Sequence, residues 1–176
     1  MRRLALLGVG LATLVATADS SDAGHGPGRG PRYPFAIGAM HTSVVDFTGA
    51  VVSEIDVQLV ARGDRRGEGA RGRIFVSQTG VFGFELVADV TCLTVDGNLA
   101  VAGGPIEHVE GIGMPPGVFQ TFFLAVRDAD GPGGDPETPD TFQGNLSIDP
   151  PPATCPLFDA GIAADEGNVV VHDAAR

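Results

Sequence analysis

The sequence contains no lysine, and all eleven of its basic residues are arginine. That absence excludes Schiff-base chemistry, a phosphate-cradling P-loop and a serine–lysine dyad, each of which needs a lysine side chain. Cysteine is nearly absent as well: there are two, with no C-x-x-C spacing, too few for a zinc site of soft ligands. No apolar run approaches the about eighteen residues needed for a membrane-spanning helix. Clean helical periodicity is missing after the first eighteen residues, and 26 Gly and 13 Pro would interrupt it in any case. A helical fold is excluded. No segment recurs at a period of about twenty to fifty residues, so neither a solenoid nor a propeller is expected. With a net charge of −11 and no dense basic cluster, the chain is also unsuited to DNA or RNA.

What is present is enough for one core. Apolar residues make up 43% of the 176 positions, ten of them Phe, which excludes disorder of the whole chain. The chain opens with Met1-Arg2-Arg3, a twelve-residue apolar run over residues 4–15, and Ala16-Thr17-Ala18 as a small-x-small cleavage site. This pattern predicts a signal peptide over residues 1–18 and a secreted, extracytoplasmic protein without a transmembrane anchor. Residues 19–34 are dense in Gly and Pro and almost free of apolar side chains, so they are read as a flexible linker. The folded domain is expected over residues 35–173.

Within that domain the period is two. Ile55, Val57, Leu59 and Ala61 alternate with Glu54, Asp56, Gln58 and Val60, the pattern of a half-buried strand. Phe82, Phe84, Leu86, Ala88, Val90 and Cys92 place one apolar face on a long strand. Past Thr91, Leu93 and Val95 make its other face apolar too, so that end is expected to be covered on both sides. Asp96-Gly97-Asn98 is hairpin chemistry, returning through residues 99–102. Further strands are expected over 118–126, 142–148 and 168–172. About eight strands at this spacing predict an all-β fold, either a single antiparallel β-barrel or a two-sheet β-sandwich.

Export also gives the cysteines a meaning. An isolated pair in an oxidising compartment predicts one disulfide, Cys92–Cys155.

The sharpest chemical signal follows the strand that ends near Arg127. From Asp128 to Asp140 the chain carries five carboxylates among glycines and prolines. Clustered carboxylates repel unless a cation or water screens them. Asp128, Asp130, Asp135 and Asp140 are therefore candidate ligands for Ca²⁺, which takes about six to eight oxygens. The spacing is not that of an EF-hand, because Pro stands at the fifth and twelfth positions counted from Asp128. A solvated acidic turn bonding its own backbone is the competing reading.

Other constellations are weaker. Glu107-His108-Val109-Glu110 is read as two carboxylates on one strand face with His108 opposite, so the three do not converge. His41 and Ser43 share a face without an acid at a short offset, and no G-x-S-x-G elbow or H-E-x-x-H helix occurs. His41, His108 and His172 are expected to lie apart at strand ends. Charge is segregated: residues 29–73 hold seven Arg against five acids, and residues 74–176 two Arg against fifteen. The arginines of residues 62–73 are expected to fold onto the acidic half, or, if exposed, to meet an anionic polymer or the cell envelope.

The run Val90-Thr91-Cys92 through Gly97-Asn98, then Val126-Arg127-Asp128 with Asp140-Thr141-Phe142, then Cys155 and finally Gly167 to His172, resembles a β-rich module of exported bacterial proteins, of the actinobacterial secreted type. The resemblance implies the fold, export and the disulfide, and no activity or substrate. Two functions are expected from it and from the residues together. The first is an exported non-enzymatic domain, structural or binding, whose acidic loop takes Ca²⁺. The alternative is a closed barrel that binds a small-molecule ligand or performs cyclase-like chemistry, with His41, Glu85 or Arg127 inside.

Overall fold

A strand that is apolar at every second residue must bury one face, and this requirement organises the chain from Phe35 onward. A computed structural model describes residues 33–63, 69–80, 83–111, 117–131 and 137–174, none of them helical. Among the described residues there are ten strands: β1 Phe35–Val45, β2 Val51–Gly63, β3 Ala70–Gln78, β4 Phe84–Asp89, β5 Cys92–Asp96, β6 Leu99–Gly111, β7 Thr121–Arg127, β8 Thr141–Ser147, β9 Ile162–Ala163 and β10 Glu166–His172. They form one antiparallel sheet in the order β10-β1-β2-β3-β4-β6-β7-β8-β9, curled into a half-barrel, with β5 paired to β6. The chain is thus all-β. Of the two expected architectures the single curled sheet is the one adopted. No helix among the described residues is long and apolar enough to cross a membrane. The expected leader of residues 1–18, and residues 19–32 of the expected linker, lie outside the described residues.

The concave face holds the main core. Met40, Val57, Leu59, Ile74, Leu86, Leu124, Val126, Phe142 and Val169 are all buried and pack as one cluster. These are the alternating positions of β1, β2, β3, β4, β7, β8 and β10, as the period-two reading requires.

The long strand expected over residues 82–92 is broken, and the break has a consequence. β4 pairs with residues 106–111 of β6 and β5 with residues 99–103, so the two lie end to end alongside β6. Between them, Ala88 stands opposite Ile106 and Cys92 opposite Gly103: four residues of one strand span three of the other. The inserted residue is a bulge, and a bulge reverses which side chains face the core. Leu86, Ala88 and Val90 point inward, and after the break Leu93 and Val95 point inward instead. Cys92 therefore lies on the opposite face from Leu86, not on the same face as the unbroken alternation predicts. Gly104 makes the crossing possible, since a Cβ there would stand 2.1 Å from the Asp89 carbonyl oxygen.

On its new side Cys92 joins a second, smaller core with Val101, Phe123, Ala125, Cys155 and Ala160. The Cys92–Cys155 disulfide is formed, across a sequence separation of 63. It fastens the segment around residues 155–160 over the convex side of β5, β6 and β7, so both faces of β7 are buried. Thr94 Oγ1 donates to the Cys155 carbonyl at 2.9 Å, and Arg127 Nη2 donates to Asp159 Oδ1 at 2.7 Å, securing the same segment. The expected two-sided covering near Leu93 is present, but the outward groups are Cys92 and Val101.

Candidate functional site

β10 is held along one edge by β1, from Phe35↔His172 to His41↔Glu166. Its other edge meets no strand among the described residues. An unpaired row of amides in an apolar setting is costly, so other acceptors must serve them. Two carboxylates do. Asp140 Oδ2 accepts from the Val169 amide at 2.7 Å, and Asp128 Oδ2 accepts from the Val171 amide at 3.0 Å. Asp128 follows the end of β7 and Asp140 precedes β8, so the acidic segment brackets the open seam of the half-barrel. Asp140 Oδ1 also accepts from the Ala129 amide at 2.8 Å, which fixes the turn after β7.

Both aspartates are buried, Asp128 at 3% exposure and Asp140 at 8%. Asp130 is exposed beside them, and one carboxylate oxygen from each of the three lies within 4.8 Å of the others. Asp128 Oδ1 has no hydrogen-bond partner among the described residues. Asp135, the fourth expected ligand, lies outside the described residues. The acidic loop therefore bonds backbone both within itself, at the Ala129 amide, and on a distant strand, at the Val169 and Val171 amides, and it brings Asp128, Asp130 and Asp140 together.

The pKa of Asp128 is raised. Burial is the main cause; the Val171 amide opposes it, and the Asp130 and Asp140 carboxyls reinforce it. A carboxyl raised in the fold favours the folded state while it is protonated. Its contribution is complete below the ordinary carboxylate pKa and is lost as pH rises through the folded value. Asp46 and Asp159 are lowered, the first mainly by the Thr48 hydroxyl and the second by Arg127, and their contributions run the other way. In chelator the Asp128→Asn variant, a permanent mimic of the neutral carboxyl, is expected to melt at least as high as the parent near neutral pH. That advantage should fade as the pH is lowered to about 3, below the ordinary carboxylate pKa, where the parent carboxyl is neutral too. Calorimetric melts at both pH values check this, and a variant advantage that persists in acid would contradict it.

The remaining candidates are placed differently. His41 is on the convex face of β1, where its Nδ1 lies 2.9 Å from Asp56 Oδ1 on β2. This acid partner, fifteen residues away, comes from the β1–β2 register and has no short-range sequence signal. It raises the His41 pKa. Glu85 is exposed on the convex face of β4, and Arg127 is turned to Asp159 and Asn98. None of the three points into the concave core, so the arrangement expected of a catalytic barrel interior is not formed by them. His108 is likewise convex, and its Nε2 lies 3.9 Å from Glu110 Oε2. The expected pairing of the two carboxylates opposite His108 is thus corrected: a period of two puts residues 108 and 110 on one side. His172 stacks on Phe35 with ring centroids 5.2 Å apart, away from the other histidines. Arg73 reaches Asp89 at 3.2 Å, so one arginine of the basic stretch does fold onto the acidic half, while Arg62 and Arg71 are exposed. Arg65 and Arg66 lie outside the described residues.

Comparison with known proteins finds no matching family model, no matching curated protein and no matching solved structure.

Proposed function

We propose that the chain is an exported, non-enzymatic β-domain, structural or binding in role, whose acidic loop holds Ca²⁺ at the seam between β10 and the β7–β8 connection. Two observations carry the reading: Asp128 Oδ1 is buried without a hydrogen-bond partner among the described residues, and one carboxylate oxygen from each of Asp128, Asp130 and Asp140 lies within 4.8 Å of the others. Two buried carboxylates and a third beside them repel one another unless a proton or a cation intervenes. A hard cation answers this with oxygen ligands alone, and Ca²⁺ accepts a site that also uses backbone carbonyls and water. Export and the non-catalytic role are supported by the leader pattern, the disulfide and the absence of polar convergence among His41, Glu85 and Arg127.

Calcium titration by calorimetry, paired with thermal melts, tests the reading. At about one hundred times the dissociation constant, Ca²⁺ should add about 2.7 kcal/mol. For a domain of this size the melting temperature should then rise by about 5–10 °C. Asp130 is exposed, so Asp130→Asn should leave the calcium-free melt unchanged or slightly higher while weakening binding at least about tenfold. Absence of both heat and melting shift would sink the proposal.

A further inference from the structure

β10 has a single strand neighbour among the described residues, and its attachments differ along its length. Its backbone pairs with β1 over seven residues, and two of its side chains, Val169 and Val171, are buried in the main core. The amides of the same two valines donate to Asp140 and Asp128 on the other edge. The approach to the strand is fastened separately, without the acidic loop. The Asp165 amide donates to the His41 carbonyl at 2.8 Å, and Asp165 Oδ2 accepts from the Ser43 amide at 2.6 Å. Past the far end, Asp173 Oδ2 accepts a long bond from the Gly97 amide, at 3.4 Å.

From this arrangement we infer that calcium at the acidic loop is a latch on β10, an inference that rests on the calcium reading of that loop. Occupancy holds residues 168–172 in place, and loss of the ion lets them open as a unit about the anchored Asp165. Two of the three carboxylates that would hold the ion are the ones that hold the strand. Asp128 gives Oδ2 to Val171 and keeps Oδ1 unpartnered, and each Asp140 oxygen retains a lone pair beyond its amide. An ion is therefore bound without taking an acceptor from β10. In its absence the clustered carboxylates repel one another. Retreat on the loop side is restricted. Asp140 Oδ1 is tied to the Ala129 amide, and Gly131 packs on Asp128 so closely that a Cβ there would stand 2.8 Å from the carboxyl carbon and both oxygens. The bonds that yield are those to Val169 and Val171. The coupling is reciprocal: these two amides fix the carboxylates side by side, so an opened strand dismantles the ion site and binds the ion less well.

Amide hydrogen exchange resolved by NMR on the exported chain near neutral pH, with a parallel calorimetric calcium titration, tests the latch. In chelator the amides of residues 168–172 should exchange at least about tenfold faster than the slowest amides of β2, β3 and β6, the mark of an opening short of unfolding. Calcium at about one hundred times the calorimetric dissociation constant should slow them about a hundredfold. Sodium chloride of equal ionic strength should leave them within about twofold, because it screens without bridging. Asp130→Asn keeps both strand-holding carboxylates and should need at least about tenfold more calcium for the same slowing, with its calcium-free melt showing that it folds. If calcium binds but residues 168–172 already exchange with the slowest amides in chelator, or are not slowed by the ion, the latch is overturned and the calcium reading stands. Equal slowing by sodium chloride overturns the latch as well. Absence of calcium heat removes both the site and the latch.

Discussion

Replacing Asp140 by alanine should lower the free energy of unfolding by about 3 kcal/mol, an effect large enough to move the urea midpoint by more than about 1 M for a domain of this size. The substitution strands two backbone amides at once, Val169 on β10 and Ala129 in the turn after β7. Each buried amide left without an acceptor costs about 1–3 kcal/mol, and relief of repulsion with Asp128 returns part of it. Asp140→Asn keeps one acceptor and should cost about half as much. Both variants should be measured in chelator, so that any bound cation does not enter the comparison. A loss under about 1 kcal/mol for the alanine variant would show that the carboxylate does not hold the seam.

Removing the disulfide should cost slightly more. For a closed loop of 63 residues the chain-entropy relation gives about 4 kcal/mol, or a fall of roughly 10 °C in melting temperature. The structure makes the location of the damage specific. Cys155 anchors the segment that covers Val101, Phe123 and Ala125, so the Cys92→Ser/Cys155→Ser variant should loosen that cover first. Hydrogen exchange should accelerate in β5, β6 and β7 and stay near the parent rate in β1, β2 and β3. A uniform acceleration across the sheet would mean that the bridge acts only through the unfolded state.

Much of this fold was legible because its signals are local. Alternation located β2 at Glu54–Ala61 within its longer span Val51–Gly63, and the Asp96-Gly97-Asn98 turn was correctly placed between β5 and β6. The parity of Cys92 was not legible, because alternation continues unbroken through Val90 and Cys92 and nothing in the residues marks an inserted one. The bulge falls beside a register shift against β6 between Val87 and Ala88, where Gly104 of the partner strand allows the approach. The candidate site divides in the same way. A run of carboxylates from Asp128 to Asp140 is visible to any reader of the sequence. Its principal bonds are not: Asp140 finds Val169 across 29 residues and Asp128 finds Val171 across 43. Only the curling of the sheet brings those amides within reach.

The neighbouring positions of β1 and β10 also set the order in which the domain can form. The ladder from Phe35↔His172 to His41↔Glu166 joins the first strand to the last, the most distant pairing in the sheet. Hairpins β1–β2, β2–β3 and β5–β6 close over short loops and can form as soon as their residues are available, whereas β10 must wait until residues 166–172 have been made. Until residues 166–172 dock, β1 presents a bare edge eleven residues long. A chain arrested before that point is an aggregation hazard, and its rescue depends on residues 166–172.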